Sequence, residues 1–134
     1  MSSDSVVYIL EDDPGVVDSV SLLLQVSGKR FEVFSRVDEF LSHMEFADWN
    51  FENVCCLLLD LRLPGDGMTV LHYFSEQRIS LPTIVMTGHG DEGLRARALN
   101  LGAHGFIEKP FDAQELLDLI ENASPNASAN RSAT

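Results

Sequence analysis

Five strand-sized apolar runs, each followed by a segment with helical apolar spacing, constrain this chain more than any other feature. The runs are Val6–Leu10, Phe31–Phe34, Val54–Leu59, Thr83–Met86 and Gly105–Glu108. The third run is continuously apolar, as expected of a strand covered on both faces. The intervening stripes are Val16, Val17, Val20, Leu23 and Leu24; Val37, Phe40, Leu41 and Met44; Met68, Leu71, Tyr73 and Phe74; and Leu94, Ala98 and Leu101. A last helix is expected over Phe111–Ile120, after Pro110. Apolar residues three and four apart share one helix face. Regular strand–helix alternation predicts an α/β fold, a doubly wound five-stranded parallel sheet with five helices on its two faces.

The punctuation agrees. Asp13 before Pro14 is a helix start, and Gly28 and Gly102 are helix ends. Ser35 is a candidate cap for the second helix, and Pro64-Gly65-Asp66-Gly67 is turn chemistry. Residues 45–53, with Trp49, read as a polar-aromatic loop. The folded unit is expected to span 1–123, with 124–134 as a flexible tail or truncated linker, because that end is small and polar.

Of the 134 residues, 21 are Asp or Glu and nine are Lys or Arg, a net charge of −12. Such a surface repels phosphate backbones and anionic lipid, so direct nucleic-acid binding through this domain is not expected. No run of 18 apolar residues exists to suggest a membrane span. The start, Met1-Ser2-Ser3-Asp4-Ser5, lacks the basic region of a secretory signal. Adjacent Cys55 and Cys56 are read as small buried side chains on opposite faces of a strand. A cytoplasmic location is therefore expected.

In a sheet of this kind the functional crevice lies beyond the carboxyl ends of the strands. The first strand ends in Glu11-Asp12-Asp13, the third in Asp60, the fourth in Thr87-Gly88 and the fifth in Glu108-Lys109-Pro110. Carboxylates crowded on one rim repel each other, and a divalent cation relieves that repulsion. Oxygen donors without a nearby His/Cys pair favour Mg2+ over zinc. A carboxylate can accept a phosphoryl group as an acyl phosphate. An ammonium and a hydroxyl suit the oxygens of that group. Asp60, on the central strand behind three leucines, is held rigidly enough to be the acceptor. Lys109 is one of only two lysines in the chain.

These residues resemble a known family, the receiver domain of two-component response regulators, from about Val6 to Ala123. The matching pieces are Ile9-Leu10-Glu11-Asp12-Asp13, Leu58-Leu59-Asp60-Leu61-Arg62-Leu63-Pro64, Ile84-Val85-Met86-Thr87-Gly88-His89-Gly90-Asp91 and Phe106-Ile107-Glu108-Lys109-Pro110-Phe111. The last two are similar to the FixJ-type branch. The resemblance implies a flavodoxin-like sheet of order 2-1-3-4-5. It implies that Asp60 takes phosphate from a sensor histidine kinase or phosphotransfer protein. Mg2+ would be held by Glu11, Asp12, Asp60 and the Arg62 backbone carbonyl. Lys109 would pair with the phosphoryl group, with a cis bond to Pro110. Thr87 and Phe106 would act as the switch, altering the face of helix 4, strand 5 and helix 5 for a partner, a second copy or a transcriptional output.

Such a chain is not a conventional enzyme, although Mg2+-dependent self-phosphorylation and slow acyl-phosphate hydrolysis are expected of it. A monomer, or a weak pair strengthened by phosphorylation, is expected. The sequence departs from the family in three places, one being the common proline near Gly15, which is shifted to Pro14. Glu11 stands where an aspartate is common. Met68 stands where a glycine is usual, so Gly67 implies a loop one residue short.

Two other readings use the same residues. One is a receiver that docks without phosphate. The other is a dinucleotide site, since Gly88, Gly90 and Gly93 spell G-x-G-x-x-G after a strand and before a helix, with Glu108 about 20 residues on. The scattered histidines read as surface or core residues, with His89 a candidate influence on phosphoryl lifetime.

Overall fold

The computed structural model describes residues 5–46, 53–63, 66–88 and 91–123. Residues 47–52 of the Trp49 loop, the Pro64-Gly65 half of the turn, His89, Gly90 and the 124–134 tail lie outside the described residues, whereas Glu45 and Phe46, expected in that loop, continue the second helix. The chain alternates β1 (Val6–Leu10), α1 (Pro14–Val26), β2 (Arg30–Phe34), α2 (Val37–Phe46), β3 (Val54–Asp60), α3 (Met68–Gln77), β4 (Thr83–Thr87), α4 (Glu92–Asn100), β5 (Gly105–Glu108) and α5 (Ala113–Ala123). All neighbouring strands are parallel, in the order β2-β1-β3-β4-β5. The order reverses at β1, so the crevice opens between the ends of β1 and β3.

Local chemistry sets most boundaries. Asp13 is extended (φ −77°, ψ 114°) and its carboxylate accepts the Gly15 N–H at 2.9 Å, with Pro14 following in the first turn of α1. Gly28 and Gly102 leave their helices at φ +72° and +101°, which a side chain would resist. α5 begins at Ala113 rather than Phe111. The reason is Asp112, whose Oδ2 accepts the Glu115 N–H at 2.9 Å and caps the helix two residues late. Its last buried residue is Ala123, past the expected end at Ile120.

The sheet separates two cores. Tyr8, Leu10, Leu57, Leu59 and Val85 face α2, α3 and α4, where Phe40, Phe74 and Ala98 meet them. Val7, Ile9, Leu58, Ile84 and Ile107 face α1 and α5, meeting Val20, Leu24, Leu116 and Ile120. Both cysteines lie in this second core, not on opposite faces. The cause is a bulge. Val6 pairs with Val54 and Val7 with Cys56, so Cys55 is an extra residue in β3 and the alternation slips by one.

Candidate functional site

Four of the strand-end residues meet over β3. Asp60 closes that strand and is 7% exposed, and Glu11, just past β1, is fully buried. The Lys109 ammonium bridges them, donating to Glu11 Oε1 at 2.7 Å and to Asp60 Oδ2 at 3.2 Å. The other oxygens are also engaged. Asp60 Oδ1 accepts the Arg62 N–H at 3.0 Å, and Glu11 Oε2 accepts the Asp12 and Asp13 N–H groups at 3.1 Å each. Every charge buried here has a partner, as its desolvation requires.

The charges shape each other's titration. Burial pushes the Glu11 carboxyl above its ordinary value, against the pull of Lys109 and the Asp13 N–H. Burial alone would lower Lys109; its hydrogen bond to Glu11 and the charges of Asp60 and Glu11 together outweigh that and hold the ammonium on.

Glu11, Asp12 and Asp60 each offer a carboxylate oxygen, and these atoms lie within 4.8 Å of one another. Asp12 is exposed, so the cluster opens to water. An all-oxygen set with one solvated side fits a hard cation that keeps some of its waters.

Thr87 ends β4 beside this cluster and is 2% exposed. Its hydroxyl donates to the Ile107 carbonyl at 3.3 Å, toward β5. The Lys109 N–H donates to the Thr87 carbonyl at 2.8 Å, tying the two strand ends. The Lys109–Pro110 bond is cis. Phe106 is half-buried against the α2/α3/α4 core, and the Arg95 guanidinium lies 5.1 Å from its ring centre. That cation–π contact was not legible in the sequence.

Two further residues matter that strand-end reasoning missed. Gly67 sits against the acceptor's own backbone: a Cβ there would lie 2.6 Å from the Asp60 carbonyl oxygen and 2.8 Å from the Leu61 Cα. Its φ is an ordinary −57°, so glycine is required for space and not for conformation. Gly67 stands immediately before α3. The second is Asp91. It caps α4 in sequence, yet its carboxylate makes no capping bond to that helix. It accepts instead the Gly88 N–H at 2.7 Å and the Arg62 Nε at 3.2 Å, with a second close contact to Arg62 Nη2. An acid shortly after a strand-end threonine was the available signal.

The glycine motif lies at the fourth strand–helix unit, where the Asp91 carboxylate already takes the Gly88 N–H that a pyrophosphate would need. This disfavours the dinucleotide reading.

Comparison with known proteins agrees with the site. A family profile described as response regulator receiver domain matches residues 7–121. The transcriptional regulatory protein FixJ of Bradyrhizobium diazoefficiens is 34% identical over 124 residues, covering 92% of this chain and 58% of that protein. The response regulator protein TodT of Pseudomonas putida is 37% identical over 129 residues, covering 96% of this chain and 55% of that protein. The chain therefore spans a little over half the length of these relatives. Among solved structures, full-length FixJ from B. japonicum superposes with a TM-score of 0.78 at 32% identity, over 92% of this chain and 61% of that one. The structure titled FixJ-N gives 0.78 at 32% identity, over 90% and 93%. With the sheet order, the rim of acids and the lysine all in place, this chain belongs to the response regulator receiver domain family.

Proposed function

We propose that Asp60 is the phosphoacceptor of a two-component relay. The observation that carries this is the Lys109 ammonium shared between Asp60 and Glu11, with Asp12 alongside and Thr87 at the next strand end. The donor is a phosphohistidine of a sensor kinase or phosphotransfer protein. An Asp60 oxygen forms a P–O bond as the P–N bond breaks, and the imidazole nitrogen leaves with the electron pair.

Glu11, Asp12, Asp60 and the Arg62 backbone carbonyl would hold Mg2+. When bound it would offset the charge of the transferring group. Lys109, already held cationic, would contribute the second positive charge. Thr87, whose hydroxyl now faces Ile107, would turn to a phosphoryl oxygen, and Phe106 would move inward behind it. Such a change biases a two-state element by local charge. The face of α4, β5 and α5 would then be read by a partner, a second copy or a transcriptional output.

Residues 1–123 are the receiver, and 124–134 a tail or the start of a linker. Small phosphodonors would also load Asp60, with slow hydrolysis following. By analogy with relatives named as transcriptional regulators, the chain works in the cytoplasm.

Incubation with acetyl phosphate and Mg2+ tests the reading. One base-labile phosphoryl adduct is expected, mapping to Asp60 and absent from Asp60→Asn. An adduct elsewhere, or none, overturns it.

A further inference from the structure

The Arg62–Asp91 pair lies outside the roles proposed above, which use only the backbone of Arg62. Its two ends differ sharply. The Asp91 side chain is 2% exposed and fixed by the Gly88 N–H, whereas the Arg62 side chain is 63% exposed. The arginine is therefore the end free to change partner.

Both ends touch the site. The Arg62 N–H is on Asp60 Oδ1, and the Arg62 guanidinium is held charged first by its hydrogen bond to Asp91, with a smaller contribution from the charge of Asp60. Asp91 holds the residue after Thr87, and its carbonyl accepts the Arg95 N–H at 2.9 Å in the first turn of α4. One ion pair thus ties the acceptor loop to the Thr87 strand end and to the start of α4.

A phosphoryl group on Asp60 places close to two negative charges and three acceptor oxygens beside Arg62. A guanidinium offers a planar fork that suits a phosphate as well as a carboxylate. From this juxtaposition we infer that the Arg62 side chain has two alternative partners. It holds Asp91 before phosphorylation and turns to the phosphoryl oxygens afterwards, releasing the start of α4. In the resting protein the ion pair opposes the switch, because it must be broken for the second arrangement to form. The inference rests on Asp60 being the acceptor.

The test is binding of beryllofluoride, an acyl-phosphate mimic, with Mg2+ and the intact chain, followed by NMR. Asp91→Asn keeps a carbonyl for the Gly88 N–H but removes the charge that holds Arg62. It should bind the mimic more tightly, on the order of fivefold, the low end of couplings between linked sites. Arg62→Met, at an exposed position, removes both partnerships and should bind no more tightly than the parent. In the double variant the gain from Asp91→Asn should vanish, since there is no arginine left to release.

A tie with only a structural role would lower thermal stability in both variants and leave mimic affinity unchanged; that result overturns the inference. So does a gain that persists in the double variant. If the parent binds no mimic, or Asp60→Asn binds it equally, the phosphoacceptor reading fails first and the inference falls with it.

Discussion

Helices α4 and α5 flank the same strand, β5, yet they are held by different forces. α5 buries Leu116, Ile120 and Ala123 against the sheet. α4 buries only Ala98, and its Leu99 is 60% exposed. Besides the half-buried Leu94 and Leu101, its ties include polar ones toward its start: Asp91 on Gly88 and Arg62, and Arg95 over Phe106. Apolar burial does not respond to a charge arriving at Asp60, whereas an ion pair does. On the proposed reading, α5 would serve as scaffold while α4 shifts. Elements that move are drawn from the weakly packed end of a structure.

The contrast can be broken by mutation. The largest effect should come from Ile120→Ala, which leaves a cavity under α5 and should cost about 2–5 kcal/mol in denaturant unfolding. Mimic binding by the folded fraction should be unchanged, and a clear loss of affinity would mean that α5 is not a passive scaffold. Ala98→Gly should cost about 1 kcal/mol, the helix-propensity difference. Its amide-exchange signature should stay within α4, and a global loss as large as that of Ile120→Ala would erase the distinction.

Arg95→Ala removes the contact with the Phe106 ring and should cost about 0.5–1 kcal/mol, the range for partly exposed pairs. The Phe106 ring resonances should shift in the unphosphorylated protein; if they do not, the cation–π contact is not populated.

Acid should produce the smallest change. Hydrogen bonding to Arg62, then to the Gly88 N–H, holds the Asp91 carboxyl below its ordinary value. The folded state therefore releases this proton more readily than the unfolded chain does. The tie contributes fully above the unfolded carboxyl value of about 3.9 and is lost as pH falls through the lower native one. Because Arg62 is mostly exposed, solvent screens much of the gain. Amides in the first turn of α4 should loosen before those of α5 as pH falls below about 3.9. The reverse order would contradict the comparison.

What was legible in the sequence follows the same division. Periodicity located every strand and helix, because apolar burial writes itself as spacing. The strand-end residues Glu11, Asp60, Thr87 and Lys109 were legible because parallel topology carries strand ends to one rim. The bulge at Cys55 was not, since an unbroken apolar run such as Val54–Leu59 has no alternation in which a slip could show. The start of α5 was missed because the apolar Phe111 drew the boundary toward itself, while the local capping bond of Asp112 set it. The Arg62–Asp91 pair spans 29 residues, and no local pattern announces a contact between two loops.

The bare α-carbon of Gly67 has a practical consequence for comparing this chain with its kin. On the sequence reading, counting residues from the acceptor puts Met68 where a glycine is expected. The close approach to the Asp60 carbonyl picks out Gly67 instead. Homologues with longer or shorter links here are best aligned on whichever residue leaves that peptide uncrowded, and chimeras that exchange α3 should be spliced at the same point.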